Sequence, residues 1–86
     1  MNVLIPTQLR SYTGGASRVT ASGDTLDAVL DCLDRDYPGI RFRMIDEQGR
    51  IRQHIRIFIS GKTAETIGLP LAESDEVHIV GALSGG

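Results

Sequence analysis

The chain lacks tryptophan, has a single cysteine and a single lysine, and carries no apolar run of useful length for a membrane. One cysteine, Cys32, excludes an intramolecular disulfide framework and suits a reducing compartment. A bilayer span needs about 20 consecutive apolar residues, and nothing here approaches that. The opening Met1-Asn2-Val3-Leu4-Ile5-Pro6 has no basic region, and Pro6 interrupts its apolar stretch. The expectation is a cytoplasmic protein without leader or membrane association. Aromatics are scarce, net charge is −2, and no basic tail is present. Nucleic-acid binding is therefore disfavoured, because neutralising phosphates takes clustered cations. Arg41, Arg43, Arg50, Arg52 and Arg56 form a local basic stretch, read as a solvated face or the rim of a partner surface.

Catalytic patterns are missing too. Neither G-x-G-x-x-G nor G-x-x-x-x-G-K-[ST] occurs, so no phosphate-cradling loop is expected. His54 and His78 stand singly, with no acid or nucleophile at motif spacing, and no set of nucleophile, base and orienting group assembles. Asp27, Asp31 and Asp34 recur at helical spacing, but neither His nor Cys joins them, which favours a solvated face over a metal site. Cys32 lies beside an apolar stripe and reads as a small core hydrophobe. The chain is expected to bind no metal or cofactor and to catalyse nothing itself.

What is present fits one domain of 86 residues, near the size at which a single core suffices. Val3, Ile5 and Leu9 share a parity that predicts a first strand with one buried face. Thr13-Gly14-Gly15 signals a turn, and Ser17 to Ala21 predicts the returning strand of a hairpin. Asp24 or Thr25 is placed to cap a helix. Leu26, Val29, Leu30 and Leu33, at i, i+3, i+4 and i+7, form its apolar stripe, and Pro38-Gly39 ends it. Ile40 to Arg52 reads as irregular. Ile55, Ile57 and Ile59 alternate with polar or larger residues in the clearest strand. Gly61-Lys62 turns the chain, a weak strand follows, and Val77 to Val80 predicts the last strand. This order implies an α+β fold: a mixed sheet of four to five strands with one main helix on one face. Placing the first and last strands side by side and parallel gives the β-grasp, or ubiquitin-like, arrangement over residues 1–80.

Residues 81–86 are expected to be a flexible tail closing on Gly85-Gly86. Glycine loses the most backbone entropy on ordering, so two at a chain end contribute nothing to a fold. Without side chains they can thread a narrow channel and present a carboxylate. Six residues, Gly81, Ala82, Leu83, Ser84, Gly85 and Gly86, reach at most about 20 Å when extended. If Val77 and Ile79 face the helix, His78 and Val80 face outward with Arg56, Phe58 and Leu4. That predicts a half-apolar partner-docking patch at the base of the tail.

Ile5-Pro6-Thr7-x-Leu9-Arg10, Thr13-Gly14-Gly15, Ala21-Ser22-Gly23-Asp24-Thr25-Leu26, Tyr37-x-Gly39-Ile40, Asp75-Glu76-Val77-x-Ile79-Val80 and Gly85-Gly86 occur in this order. Together they resemble the ThiS/MoaD family of ubiquitin-related sulfur carriers over essentially the whole chain, and the early part resembles its cysteine-synthesis branch. Departures are Ser60 where many relatives have Asn, Ser74 where they have Gly, and Gly81 where they have Pro. The resemblance implies a carrier, not an enzyme. An adenylating enzyme of the ThiF/MoeB/MoeZ type uses Mg-ATP to activate the carboxylate of Gly86. A sulfur donor converts it to a thiocarboxylate, and a synthase accepts the sulfur. The acceptor is a pyridoxal-phosphate cysteine synthase or a secondary-metabolite enzyme, with thiamin-precursor and molybdopterin pathways also open. Two other roles remain: a protein modifier joined to lysines through Gly86, and a non-covalent β-grasp interaction module.

Overall fold

The computed structural model describes residues 1–81. Their strands are β1 Asn2–Leu4, β2 Arg18–Thr20, β3 Ile55–Ile59, β4 Lys62–Ala64 and β5 Val77–Gly81. They form one sheet in the order β2-β1-β5-β3-β4. β1 and β5 run parallel, and every other neighbouring pair is antiparallel. The last strand thus occupies the centre of a mixed sheet, with the first strand directly beside it.

Helix α1, Leu26–Asp36, covers one face. Its free N-terminal amides select the cap: Thr25, rather than Asp24, accepts the Ala28 N–H on Oγ1 at 3.2 Å, the usual role of a hydroxyl at this position. Leu26, Val29, Leu30 and Leu33 are fully buried in one cluster with Val3, Ile5, Val19, Ile57, Val77 and Ile79. This is the apolar stripe and sheet face that the periodicity predicts. The helix stops at Asp36, with Tyr37 as its C-cap, slightly before the predicted Pro38-Gly39.

Two stretches depart from expectation. Leu9 does not extend the first strand. β1 ends at Leu4, and Thr7–Thr13 form a 3-10 helix that buries Leu9 and closes on left-handed Gly14. Pro6 has no N–H to offer a ladder, which favours leaving the sheet here. The hairpin of β1 and β2 therefore has a long, structured connection instead of a tight turn.

The second departure is Ile40–Met44, expected to be irregular, which forms a short helix α2. Its buried Ile40 and Met44 are four residues apart, one helical turn. Asp34 Oδ1 accepts the amides of Gly39 and Arg41, each at 3.1 Å. Arg41 Nη1 meets Asp27 Oδ1 at 2.7 Å and Asp31 Oδ1 at 3.1 Å. The three aspartates read as a solvated face instead tie α2 to α1.

Ser60-Gly61 joins β3 to β4 with φ of 48° and 89°, the two positive values of a tight hairpin turn. Ser60 Oγ donates to Asp75 Oδ1 at 2.8 Å and accepts the Glu76 N–H at 3.2 Å. No helix among the described residues is long and apolar enough to cross a membrane.

Candidate partner-docking face

Strand register decides which side chains meet on the uncovered face of the sheet. Leu4 is paired with Arg18 on β2 and with His78 on β5. Phe58 is paired with His78 and with Thr63 on β4. Directly opposed residues share a face, so Arg18, Leu4, His78, Phe58 and Thr63 make one row across all five strands. Arg56 and Val80 are paired in the next row.

The five residues expected on the docking patch, Leu4, Arg56, Phe58, His78 and Val80, thus come together. Leu4, Phe58 and Val80 are half-buried, while Arg56 and His78 are exposed. The Phe58 and His78 rings lie 6.4 Å apart, tilted by 54°, within the range of favourable aromatic pairing. Arg56 is held low over the strand, its Nη1 donating to the carbonyls of Gln53 at 3.0 Å and Ile55 at 3.2 Å. The face is half-apolar: Leu4, Phe58 and Val80 are interleaved with His78 and flanked by the guanidinium groups of Arg18 and Arg56.

A groove of about 550 Å³ runs beside β5, between it and the chain that leaves β1; Leu4, Pro6, Thr7, Gln8, Val80 and Gly81 help to line it. Gly81, assigned to the tail from sequence, is the last residue of β5 and is paired with Ile55. Its carbonyl accepts a hydrogen bond from Gln8 Nε2 at 3.1 Å. Ala82, Leu83, Ser84, Gly85 and Gly86 lie outside the described residues. Sequence reasoning missed Arg18, Thr63 and Gln8. Parity opposite buried Val19 marks Arg18, but only the register puts it beside Leu4. Gln8 carries no signal in a segment whose parity predicts a strand.

The other singled-out residues lie elsewhere. The arginine stretch is divided among internal partners: Arg52 stacks 4.5 Å over exposed Phe42, and Arg43 Nε donates to Tyr12 at 2.7 Å. Arg41 is held by the aspartates of α1. Cys32 is half-buried against the core, and His54 is exposed just before β3.

A sheet of order β2-β1-β5-β3-β4 crossed by α1, with its final strand central, defines a ubiquitin-like β-grasp protein. The chain belongs to the ThiS family, whose model matches residues 3–86. It is 37% identical to the sulfur carrier protein CysO of Mycobacterium tuberculosis, an alignment covering 100% of this chain and 98% of that protein. The crystal structure of M. tuberculosis CysO superposes with a TM-score of 0.89 at 36% identity, covering 95% of this chain and 98% of the other. CysO in the Amycolatopsis orientalis BexX/CysO complex gives 0.90 at 27% identity, with 99% and 98% covered. The small archaeal modifier protein 1 of Methanosarcina acetivorans gives 0.79 at 28% identity, with 99% and 94% covered.

Proposed function

We propose that this chain is a sulfur carrier that receives sulfur as a thiocarboxylate on Gly86. Full-length kinship with CysO, in a family match that runs through Gly86, carries this reading. A carboxylate is a poor acyl donor, because it is resonance-stabilised and has no leaving group other than oxide. In the proposed sequence a Gly86 carboxylate oxygen attacks the α-phosphorus of Mg-ATP in an adenylating enzyme of the ThiF/MoeB/MoeZ type, expelling pyrophosphate. A sulfur donor then attacks the acyl carbon, AMP leaves with the C–O electron pair, and the thiocarboxylate remains. The thiocarboxylate sulfur then attacks the electrophile held by a synthase, of the pyridoxal-phosphate cysteine-synthesis or secondary-metabolite kind. Water cleaves the acyl link so formed, leaving the sulfur on the product and a carboxylate on the carrier. Ala82 to Gly85 serve as the narrow lead into each partner's site, while the patch of Leu4, Arg56, Phe58, His78 and Val80 docks outside it.

Incubation with ATP, a matching activating enzyme and sulfide is expected to exchange one oxygen of the chain for sulfur, read by intact-mass spectrometry. An unchanged mass with an enzyme active on its own carrier would overturn the proposal. Likeness to an archaeal modifier protein supports a second reading, conjugation to lysines through Gly86. Higher-mass adducts in cells, abolished by deleting Gly85 and Gly86, would favour that role.

A further inference from the structure

β5 is flanked by partners over its whole length on one side only. Toward β3 its pairing runs from Val77 to Gly81. Toward β1 it stops at His78, opposite Leu4. Beyond Leu4 the chain keeps its pairing with the β2 arm, Ile5 donating its N–H to Ser17 O at 2.8 Å, but has no further partner on β5. Pro6 then follows with no N–H, and the 3-10 helix turns away. Ile79 to Gly81 therefore lack a neighbouring strand on this side, and the groove of about 550 Å³ occupies the gap.

One side chain crosses it. Gln8, from the 3-10 helix, donates Nε2–H to the carbonyl of Gly81, seventy-three residues away in sequence. The amide rests on the bare Cα of Gly81: a Cβ there would stand 2.6 Å from Gln8 Nε2 and 2.8 Å from its Cδ and Oε1. Hydrogen bond and absent side chain thus belong to one arrangement. Gln8 replaces the ladder bond that β1 does not supply, and only glycine at position 81 leaves room for it.

We propose that Gln8 is a positioning residue for sulfur loading, a strap that holds the Gly81 carbonyl at the end of β5 and so fixes the point from which the chain runs on toward Gly86 and the activating enzyme. This rests on the carrier reading above. The entropy of aligning a free end is then partly met before docking, the general advantage of preorganisation. Glycine at position 81 leaves φ unrestrained, where a proline would fix it by its ring. Here the restraint comes from a side chain, and a partner can release it.

The test combines kinetics with a direct readout of the strap. Gln8→Ala, Gly81→Ala and the double variant are compared for activation, followed as pyrophosphate release, and for the amide order parameter of residue 81. Each single variant is expected to raise KM for the carrier about 3- to 10-fold, the size of one lost hydrogen bond, with kcat and thermal midpoint little changed. The double variant is expected to be no worse than either single one, because both remove the same contact. The Gly81 order parameter should fall from about 0.85 toward 0.6 in Gln8→Ala. Gln8→Glu, which accepts but cannot donate, should behave like Gln8→Ala. Unchanged KM, additive effects, or an unchanged order parameter would overturn the strap. Failure of the wild-type chain to be activated would instead count against the carrier reading, leaving the order parameter to decide the strap.

Discussion

A Cβ at Gly23 would stand 2.6 Å from the amide nitrogen of Val29 and 2.8 Å from Ala28 Cβ. The segment entering α1 lies flat on its first turn, and only a residue without a side chain permits that approach. Backbone atoms do the blocking, so no rotamer change relieves the clash. Gly23→Ala is expected to destabilise the fold by about 1–3 kcal/mol, measured as a lower urea midpoint with an unchanged slope. An unaltered midpoint would contradict the packing argument. Gly81 differs in kind, since its would-be Cβ meets only the mobile end of Gln8. From sequence both positions are simply glycines; Gly23 read as part of a helix-start signature, without the close approach that requires it.

Among elements, the β3–β4 hairpin shows how one turn is fastened to the approach of β5. Ser60 has φ of 48°, a left-handed value that costs a serine more than a glycine or an asparagine. Its hydroxyl meets Asp75 and Glu76, and Asp75 Oδ2 accepts the Ala72 N–H at 2.8 Å. These donors, the Ala72 amide first and the Ser60 hydroxyl second, hold the Asp75 carboxyl below the ordinary aspartate range. Asp46 is lowered likewise, chiefly by the Arg50 amide across its own turn. A carboxyl with a depressed folded-state pKa adds stability above its unfolded value, about 3.9, and that stability is lost as pH falls through the folded value. Urea midpoints are therefore expected to drop from pH 5 to pH 2.5 in the wild type, and by less in an Asp46→Asn, Asp75→Asn variant. Equal drops would remove these two carboxylates from the acid response.

At the scale of the molecule, the sheet divides the chain's work. One face is sealed by α1 and α2 around a core in which Leu26, Leu30, Leu33, Ile40 and Met44 have no exposed surface. The other presents Arg18, Leu4, His78, Phe58 and Thr63 in a single row, with the end of β5 beside it. Phe58 adjoins His78, the middle of the row, and lies outside the sealed core, so a charge there should harm docking far more than folding. Phe58→Asp is expected to raise KM for the activating enzyme at least about tenfold, the loss typical of a central aromatic contact, while circular dichroism and the thermal midpoint stay close to wild type. Unchanged activation kinetics would remove this face from the interaction.

Much of this was legible in the order of residues alone. Periodicities of two and of 3.6 depend only on neighbours along the chain. They located β3, β5 and α1, named the buried stripe, and put Leu4, Arg56, Phe58, His78 and Val80 on one side. The motif order pointed to the family. Where local rules competed, the reading failed: Leu9 kept the parity of a strand that Pro6 had already ended, and Ile40 with Met44 gave too short a stripe to announce a helix. The β-grasp order also placed β1 beside β5 in parallel, as found, but finer long-range geometry was beyond the reading. Register alone brings Arg18 beside Leu4, and folding alone lays Gln8 across Gly81, because contacts between distant segments are set by the packed core and leave no periodic trace in the sequence.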